Sequence, residues 1–196
     1  MFNLPKTKNI YVSFSGGADS SLLIYELATY HKDKNIIPLI FDTGREPAYI
    51  KQQKCSKILN LIQELTEYIF EDVYVIKSEG QSPRPIDYEK FFKEHEEGHV
   101  VLGITRNPNV ILKDDKHKDK GRSEDGKYVC ENGDVLEPEE TPYAHLTKRD
   151  IAQKYYEYRL HNNLFPLTFS CITNTEKHCG ECWWCQERLW GFGRII

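Results

Sequence analysis

The eight residues Phe14-Ser15-Gly16-Gly17-Ala18-Asp19-Ser20-Ser21, which continue the apolar run Asn9 to Phe14, constrain this chain more than any other stretch. The run Asn9 to Ser15 reads as a strand buried on both faces. Ser20 to Tyr30 reads as a helix with Leu22, Leu23 and Leu27 at helical spacing. Two glycines between a buried strand and a helix let the backbone turn sharply and bring successive N–H groups up to a ligand. The next helix then starts with its positive end pointing there, so the turn is built for an anion. The Gly-Lys-Ser/Thr ending of a lysine-bearing phosphate loop and the three glycines of a dinucleotide fingerprint are both missing. Asp19, just inside the helix, makes most sense beside bound phosphates if a Mg²⁺ sits between them. Ser15, Ser20 and Ser21 add hydroxyl donors. Read more plainly, Gly16-Gly17 only turns the chain and Asp19 only caps a helix.

Strands and helices alternate beyond this point. Asn35 to Asp42 repeats the strand signal and ends on Asp42-Thr43-Gly44; Pro47 to Leu65 carries an amphipathic helix. Glu71 to Ser78 reads as a third strand, Asp87 to Glu97 as a short helix and His99 to Thr105 as a fourth strand. Such alternation implies a Rossmann-like α/β fold, a parallel sheet with helices on both faces and ligands at the carboxyl ends of the strands. At 196 residues the chain holds one such domain and is too short for two with a linker. Residues 106–140 break the regularity: Lys113 to Lys127 is charged, aperiodic and expected to be mobile, and Asn132-Gly133 between short apolar pairs marks a hairpin. A helix is expected to resume at Thr147, whose hydroxyl can cap it, with Ile151, Tyr155 and Tyr158 on one face.

The tail, residues 168–196, carries Cys171, Cys179, Cys182 and Cys185 in a C-x7-C-x2-C-x2-C pattern. Two-residue spacers let thiolates converge on one ion, and four thiolates close a tetrahedral shell, so a structural Zn²⁺ is the natural reading. An iron–sulfur cluster is the competing one, because C-x2-C-x2-C also opens ferredoxin-type runs. Lys177, His178, Arg188 and Arg194 could offset the net charge of four thiolates on Zn²⁺. Cys55, on the second helix, reads as a core or boundary residue, and Cys130 belongs to the hairpin.

The string Ser-Gly-Gly-x-Asp-Ser between a first strand and a first helix resembles the loop of the N-type ATP pyrophosphatases (PP-loop, HUP-type fold). That superfamily includes GMP synthetase, asparagine synthetase and 3′-phosphoadenylylsulfate reductases. The resemblance implies that Phe14 to Ser21 grips the pyrophosphate end of ATP while a substrate oxygen attacks the α-phosphorus, which accounts for the absent lysine. Asp42 falls where the superfamily often has Asp-x-Gly, near adenosine or substrate. Arg45 and Arg106, each just past a strand end, could contact phosphate or an acidic substrate, or be solvated surface arginines.

Thr141-Pro142, Leu146 to Ile151, Thr168 to Cys171, Cys179 to Cys185, Arg188 and Phe192 together resemble the C-terminal part of the 7-cyano-7-deazaguanine synthase family. This resemblance implies an ATP-dependent C–N ligase of queuosine or deazaguanine biosynthesis. Such an enzyme adenylates 7-carboxy-7-deazaguanine and converts it with ammonia to the nitrile. ATP, Mg²⁺ and Zn²⁺ are then the cofactors. Asp19, Ser20, Asp42, Arg106 and Lys148 are the catalytic candidates, with Lys148 stabilising charge near the carboxylate unless it is an ordinary exposed lysine. Departures fall in the middle of the chain. Asp42-Thr43-Gly44-Arg45-Glu46-Pro47 stands where the family has Asp-Tyr-Gly-Gln-Arg-His, and the family's Tyr-Pro-Asp-Cys-Arg stretch has no counterpart. A related enzyme acting on another nucleotide, base or protein, or a non-catalytic nucleotide-binding protein of the same fold, are the other readings.

The expected partners are a small deazapurine and ammonia, with a homodimer left open. A formal net charge of -4 gives no global positive field to recruit a nucleic acid. The N-terminal segment shows neither a signal peptide nor a membrane span, and crowded cysteines fit reduced thiols in a cytoplasm.

Overall fold

A computed structural model describes residues 4–44, 46, 48–78, 85–113, 118–123, 125–130, 132–174 and 176–195. Four strands, β1 (Asn9–Ser13), β2 (Asn35–Asp42), β3 (Tyr74–Lys77) and β4 (His99–Leu102), form a parallel sheet in the order β3-β2-β1-β4. The register runs Ile10 against Ile36 and His99, and Ile40 against Val75. Strand order reverses at β1: the chain winds outward through β2 and β3, then returns to the other side of β1 as β4. The gap between the carboxyl ends of β1 and β4 is therefore the switch point at which a doubly wound sheet opens a crevice.

Alternation along β1 and β2 divides the core in two. Ile10, Val12, Ile36 and Ile40 face one layer with helices α1 (Ala18–Tyr30) and α2 (Ala48–Thr66). The same layer holds residues of α4 (Lys148–Glu157), α5 (Leu164–Leu167) and α6 (Trp183–Phe192). Tyr11, Ile37, Leu39 and Phe41 face the other layer, where α3 (Pro85–Phe92) brings Phe91. Tyr11 and Tyr74 both meet Phe91 edge-on, at 5.5 and 5.2 Å between ring centroids. Helices thus cover both faces, as the alternating pattern implies.

Helix α1 lies between the sheet and the C-terminal helices and is buried almost all round. It even buries Glu26, which is satisfied by Tyr143 Oη at 2.6 Å, Tyr158 Oη at 2.7 Å and Lys154 Nζ at 2.8 Å. A buried carboxylate is tolerable only when so partnered.

Helix α4 starts where expected. Thr147 and Asp150 form a reciprocal capping box, Asp150 N–H donating to Thr147 Oγ1 at 3.3 Å and Thr147 N–H to Asp150 Oδ2 at 2.7 Å. The hairpin is there too, but short: β5 (Tyr128–Val129) pairs with β6 (Val135–Leu136), and Gly133 takes φ 91° in the turn.

Two expectations need correction. The first and fourth strands end at Ser13 and Leu102, two and three residues early, because the chain leaves the sheet to build the crevice walls. The tail adds a helix, α6, and α5 precedes it. The charged segment, read as mobile, is tied down at Arg122, which is 5% exposed. Arg45, the start of the second helix at Pro47, and residues 114–117 and 124 of the charged run lie outside the described residues.

Candidate active site and metal centre

A cavity of about 910 Å³ opens at the switch point. Its floor is the turn from Phe14 to Ser20; Asp42 at the end of β2 with Thr43, and Gly103 to Thr105 after β4, form opposite walls. Gly16 adopts φ 76°, a left-handed conformation that favours glycine. The serine hydroxyls organise the turn. Gly17 N–H donates to Ser15 Oγ at 3.2 Å, and the hydroxyls of Ser20 and Ser21 donate to Gly17 O at 3.3 and 2.8 Å. Ser21 is fully buried by that bond and does not line the cavity. The first helical backbone bond runs from Ser21 N–H to Gly17 O, which leaves the N–H groups of Ala18, Asp19 and Ser20 without an intrahelical partner, as at any helix start.

Gly103 explains how closely the two ends of the sheet approach. A Cβ at this position would lie 2.8 Å from Ser20 N and 2.9 Å from Asp19 C. Only hydrogen at that carbon allows the β4 end to seat against the first turn of α1.

Asp19 is held by Lys148, whose ammonium pairs with Asp19 Oδ2 and stands 3.4 Å from Glu187 Oε2. Glu187 Oε1 in turn pairs with Arg122 Nη2. Two anions and two cations therefore alternate from α1 through α4 and α6 to the charged segment. Lys148 and Glu187 are 7% and 1% exposed, so the reading of Lys148 as an ordinary exposed lysine gives way. Burial raises the Glu187 carboxyl, but Lys148 and Arg122 outweigh it and hold the group below its ordinary value. Gly191 makes room for this arrangement on α6, since a Cβ there would meet Lys148 Cγ at 2.4 Å and Lys148 O at 2.9 Å.

Asp42 lines the cavity and accepts from Gly44 N–H at 3.0 Å. From α2, Lys51 donates to Phe41 O, while Lys54 pairs with Glu46 at 2.8 Å and lies 4.2 Å over the Phe169 ring. Arg106 is not among the lining residues. Its N–H donates to Leu146 O at 2.9 Å, and its charge acts on Asp150 at the α4 start.

The sulfurs of Cys171, Cys179, Cys182 and Cys185 all lie within 4.8 Å of one another, Cys179 and Cys185 at 3.9 Å. Four sulfurs at about 2.3 Å from a tetrahedral Zn²⁺ stand about 3.8 Å apart, so the cluster fits one such ion without an open position. A polynuclear iron–sulfur core would need more room between its thiolates. Gly180 at φ 76° makes the knuckle turn, and the N–H groups of Glu181 and Cys182 donate to Cys179 Sγ at 3.4 and 3.3 Å. Burial raises the Cys179 thiol, but hydrogen bonds from Thr173 and these N–H groups bring it down to about 6, toward the thiolate a metal needs.

Of the four groups expected to offset the thiolates, His178 comes within 3.5 Å of Cys185 Sγ, but burial, with Arg188 nearby, lowers it to about 4, so it brings a neutral ring and not a charge. Arg188 instead donates to Thr168 Oγ1 at 2.8 Å and Phe165 O at 3.0 Å, stacked 3.9 Å over Phe165, and its burial lowers it to about 10. Arg194 donates to His161 O. The metal cluster and the turn touch: Phe169 N–H donates to Gly16 O at 2.9 Å, and Cys171 itself lines the cavity.

Reading the sequence missed Arg122, Glu187, Gly103 and the α2 lysines. Glu187 had a signal, since it follows the buried Trp183 by four residues, one helical turn. Gly103 stands at a strand end as Gly16 does. Arg122 sits in a run of charges with nothing to mark it.

Residues 134–196 match the family described as "Queuosine biosynthesis protein QueC". The 7-cyano-7-deazaguanine synthases of Brucella ovis, Brucella canis and Brucella suis are 41% identical to this chain over 51 residues. The match covers 26% of this chain and 21% of each relative, so it spans about a fifth of their length. The family match, residues 134–196, takes in the metal cluster, Lys148 and Glu187. Among the described residues no helix is long and apolar enough to cross a membrane. The C-terminal third of the chain, residues 134–196, is thus similar to the QueC family, and it is carried on a parallel α/β sheet with the glycine turn at its switch point.

Proposed function

We propose that residues 1–196 act as one ATP pyrophosphatase domain that activates a carboxylate by adenylation and passes it to ammonia. The observation that carries this reading is the meeting, in one cavity, of the lysine-free glycine turn, Asp19 and Lys148. Orphan N–H groups at the start of α1 suit the oxygens of pyrophosphate. Asp19, with its Oδ1 buried and unpartnered, suits a Mg²⁺ shared with those phosphates. Lys148 reaches the same point from α4. A carboxylate oxygen then attacks the α-phosphorus, pyrophosphate leaves from the turn, and ammonia displaces AMP from the acyl adenylate to give an amide. A second adenylation, on the amide oxygen, with loss of AMP and the amide protons, gives a nitrile. Ser20, Asp42 and Lys148 are the groups placed to orient and neutralise the reacting oxygens. Zn²⁺ at the four cysteines would hold the tail against Gly16 and supply no chemistry, its shell being closed.

The likeness to 7-cyano-7-deazaguanine synthases supports 7-carboxy-7-deazaguanine as the carboxylate. Incubation with it, ATP, Mg²⁺ and ammonia should yield nitrile with AMP and pyrophosphate. No nitrile, together with no AMP from any carboxylate tried, would overturn the reading.

One observation favours a second substrate. Tyr128, Cys130, Asn132 and Asp134 of the hairpin region, which stand where the family's deazapurine-reading stretch has no counterpart, line the cavity. A relative that keeps ATP activation and reads another acceptor would form AMP only with cell extract, and mass spectrometry of the adduct would identify that acceptor.

A further inference from the structure

Arg122 stands in the segment that departs from the family and outside residues 134–196, so the family match assigns it no role. It is nevertheless among the most constrained side chains in the protein. Nε donates to Thr105 O, and Nη2 to Thr105 Oγ1 at 2.8 Å, Arg106 O at 2.8 Å and Glu187 Oε1. Its own carbonyl accepts from Asn107 Nδ2 at 2.6 Å. Every bond of the guanidinium uses Nε or Nη2. Among the described residues Nη1 makes no hydrogen bond, and Arg122 lines the cavity beside Asp19, Lys148 and Trp184.

Burying a guanidinium is costly unless it is paired, and here the pairing is done by Glu187, itself 1% exposed. A fold that only needed to tie down a loop could do so with an apolar contact at lower cost. A fork anchored on one side, with the other nitrogen free at a cavity wall, is the arrangement that receives an oxyanion. Glu187 also stands 3.4 Å from Lys148 Nζ, so one carboxylate sets the spacing of two cations that come from separate segments.

We infer that Arg122 binds an oxyanion in this cavity, on the nucleotide or on the acceptor, and that Glu187 is the positioning residue for Arg122 and Lys148. The inference deepens the proposed function and rests on it for the acceptor, but not for the anion site. Binding is therefore measured apart from turnover, by calorimetry with Mg²⁺–pyrophosphate and Mg²⁺–ATP. If the oxyanion is a phosphate, Arg122→Gln weakens pyrophosphate at least tenfold. If it is the acceptor's carboxylate, pyrophosphate binding holds while KM for 7-carboxy-7-deazaguanine rises at least tenfold.

Glu187→Gln should retain pyrophosphate binding within a few-fold, because it removes a negative charge from the wall, yet lower kcat at least tenfold. A merely structural role would not split binding from turnover in that way. Arg122→Gln strands a buried carboxylate, so the double variant Arg122→Met with Glu187→Gln, neutral on both sides, is measured beside it with zinc content and melting temperature as controls. Wild-type pyrophosphate affinity and wild-type KM in a folded, zinc-loaded double variant would overturn the inference. A wild-type protein that binds pyrophosphate but never forms AMP would sink the proposed function and leave the Arg122 test standing on binding alone.

Discussion

Lys148 reaches across 129 positions of sequence to pair with Asp19, and the same ammonium stands 3.4 Å from Glu187. One cation from the start of α4 therefore serves an acid on α1 and an acid on α6. Removing it leaves the buried Glu187 and the half-buried Asp19 in each other's field. Lys148→Ala should cost about 3–5 kcal/mol of stability, the range for breaking a buried pair from one side, and denaturant titration measures it. Turnover of ATP to AMP should fall at least a hundredfold. Lys148→Arg, which keeps the charge but must fit a fork against Gly191, should keep less than half the activity.

The metal centre should be felt at the glycine turn. Phe169 N–H bonds to Gly16 O, two residues ahead of Cys171, so the tail clamps the loop only while the cysteines are held. Zinc at one equivalent per chain is expected by metal analysis, and iron with acid-labile sulfide would refute the assignment. Chelation should lower the melting temperature and raise hydrogen exchange at Phe169 by at least tenfold. An unchanged exchange rate at Phe169 after metal loss would show that the clamp does not depend on the ion.

Acid should weaken the fold through Glu187 and Asp150, whose carboxyls both sit below their ordinary values. At each, burial acts upward. It is outweighed at Glu187 by Lys148 and Arg122, and at Asp150 by the hydrogen bonds of Thr147 in the capping box. A depressed native value adds stability that is complete above the unfolded carboxylate range, about pH 4, and is lost as pH falls through and below it. Asp119 works the other way, since burial raises it, so its share fades as pH rises. With two groups against one, net stability should decline from pH 5 to pH 3. Glu187→Gln should flatten that decline, and chemical denaturation at a series of pH values tests it.

How much of this was readable in advance follows from which forces act locally. The parallel strands and α1 are written in runs of apolar residues, because a strand buried on both faces and a helix buried almost all round leave little choice of residue. The glycine turn and the cysteine spacing were equally plain, each being a short stretch whose chemistry is complete in itself. The cation–anion chain was not. Lys148 looks like any lysine in a first helical turn until α6 packs on it, and Arg122 looks like one charge among many until Glu187 receives it. Such pairs are made by tertiary contact between α1, α4, α6 and residues 118–123, and no period or spacing in any one segment records them. The short strands missed for a related reason: β1 and β4 stop where the cavity begins, although their apolar pattern continues.

Gly103 offers the sharpest steric test of how the cavity is closed. Its missing Cβ would fall 2.8 Å from both the nitrogen and the Cα of Ser20, and these are backbone atoms that no change of rotamer can move aside. Gly103→Ala must therefore push the end of β4 away from the first turn of α1, at a cost of about 1–3 kcal/mol typical of overpacking. The displacement falls on the N–H groups that would hold pyrophosphate, so affinity for Mg²⁺–ATP should drop at least tenfold. Gly193 supplies the control. It caps α6 at φ 70° with open space around it, so Gly193→Ala is strained by about 1 kcal/mol through its backbone alone and should leave nucleotide affinity untouched. Equal loss of affinity in the two variants, measured by calorimetry at matched folded fraction, would mean that general destabilisation and not the β4–α1 contact governs the site.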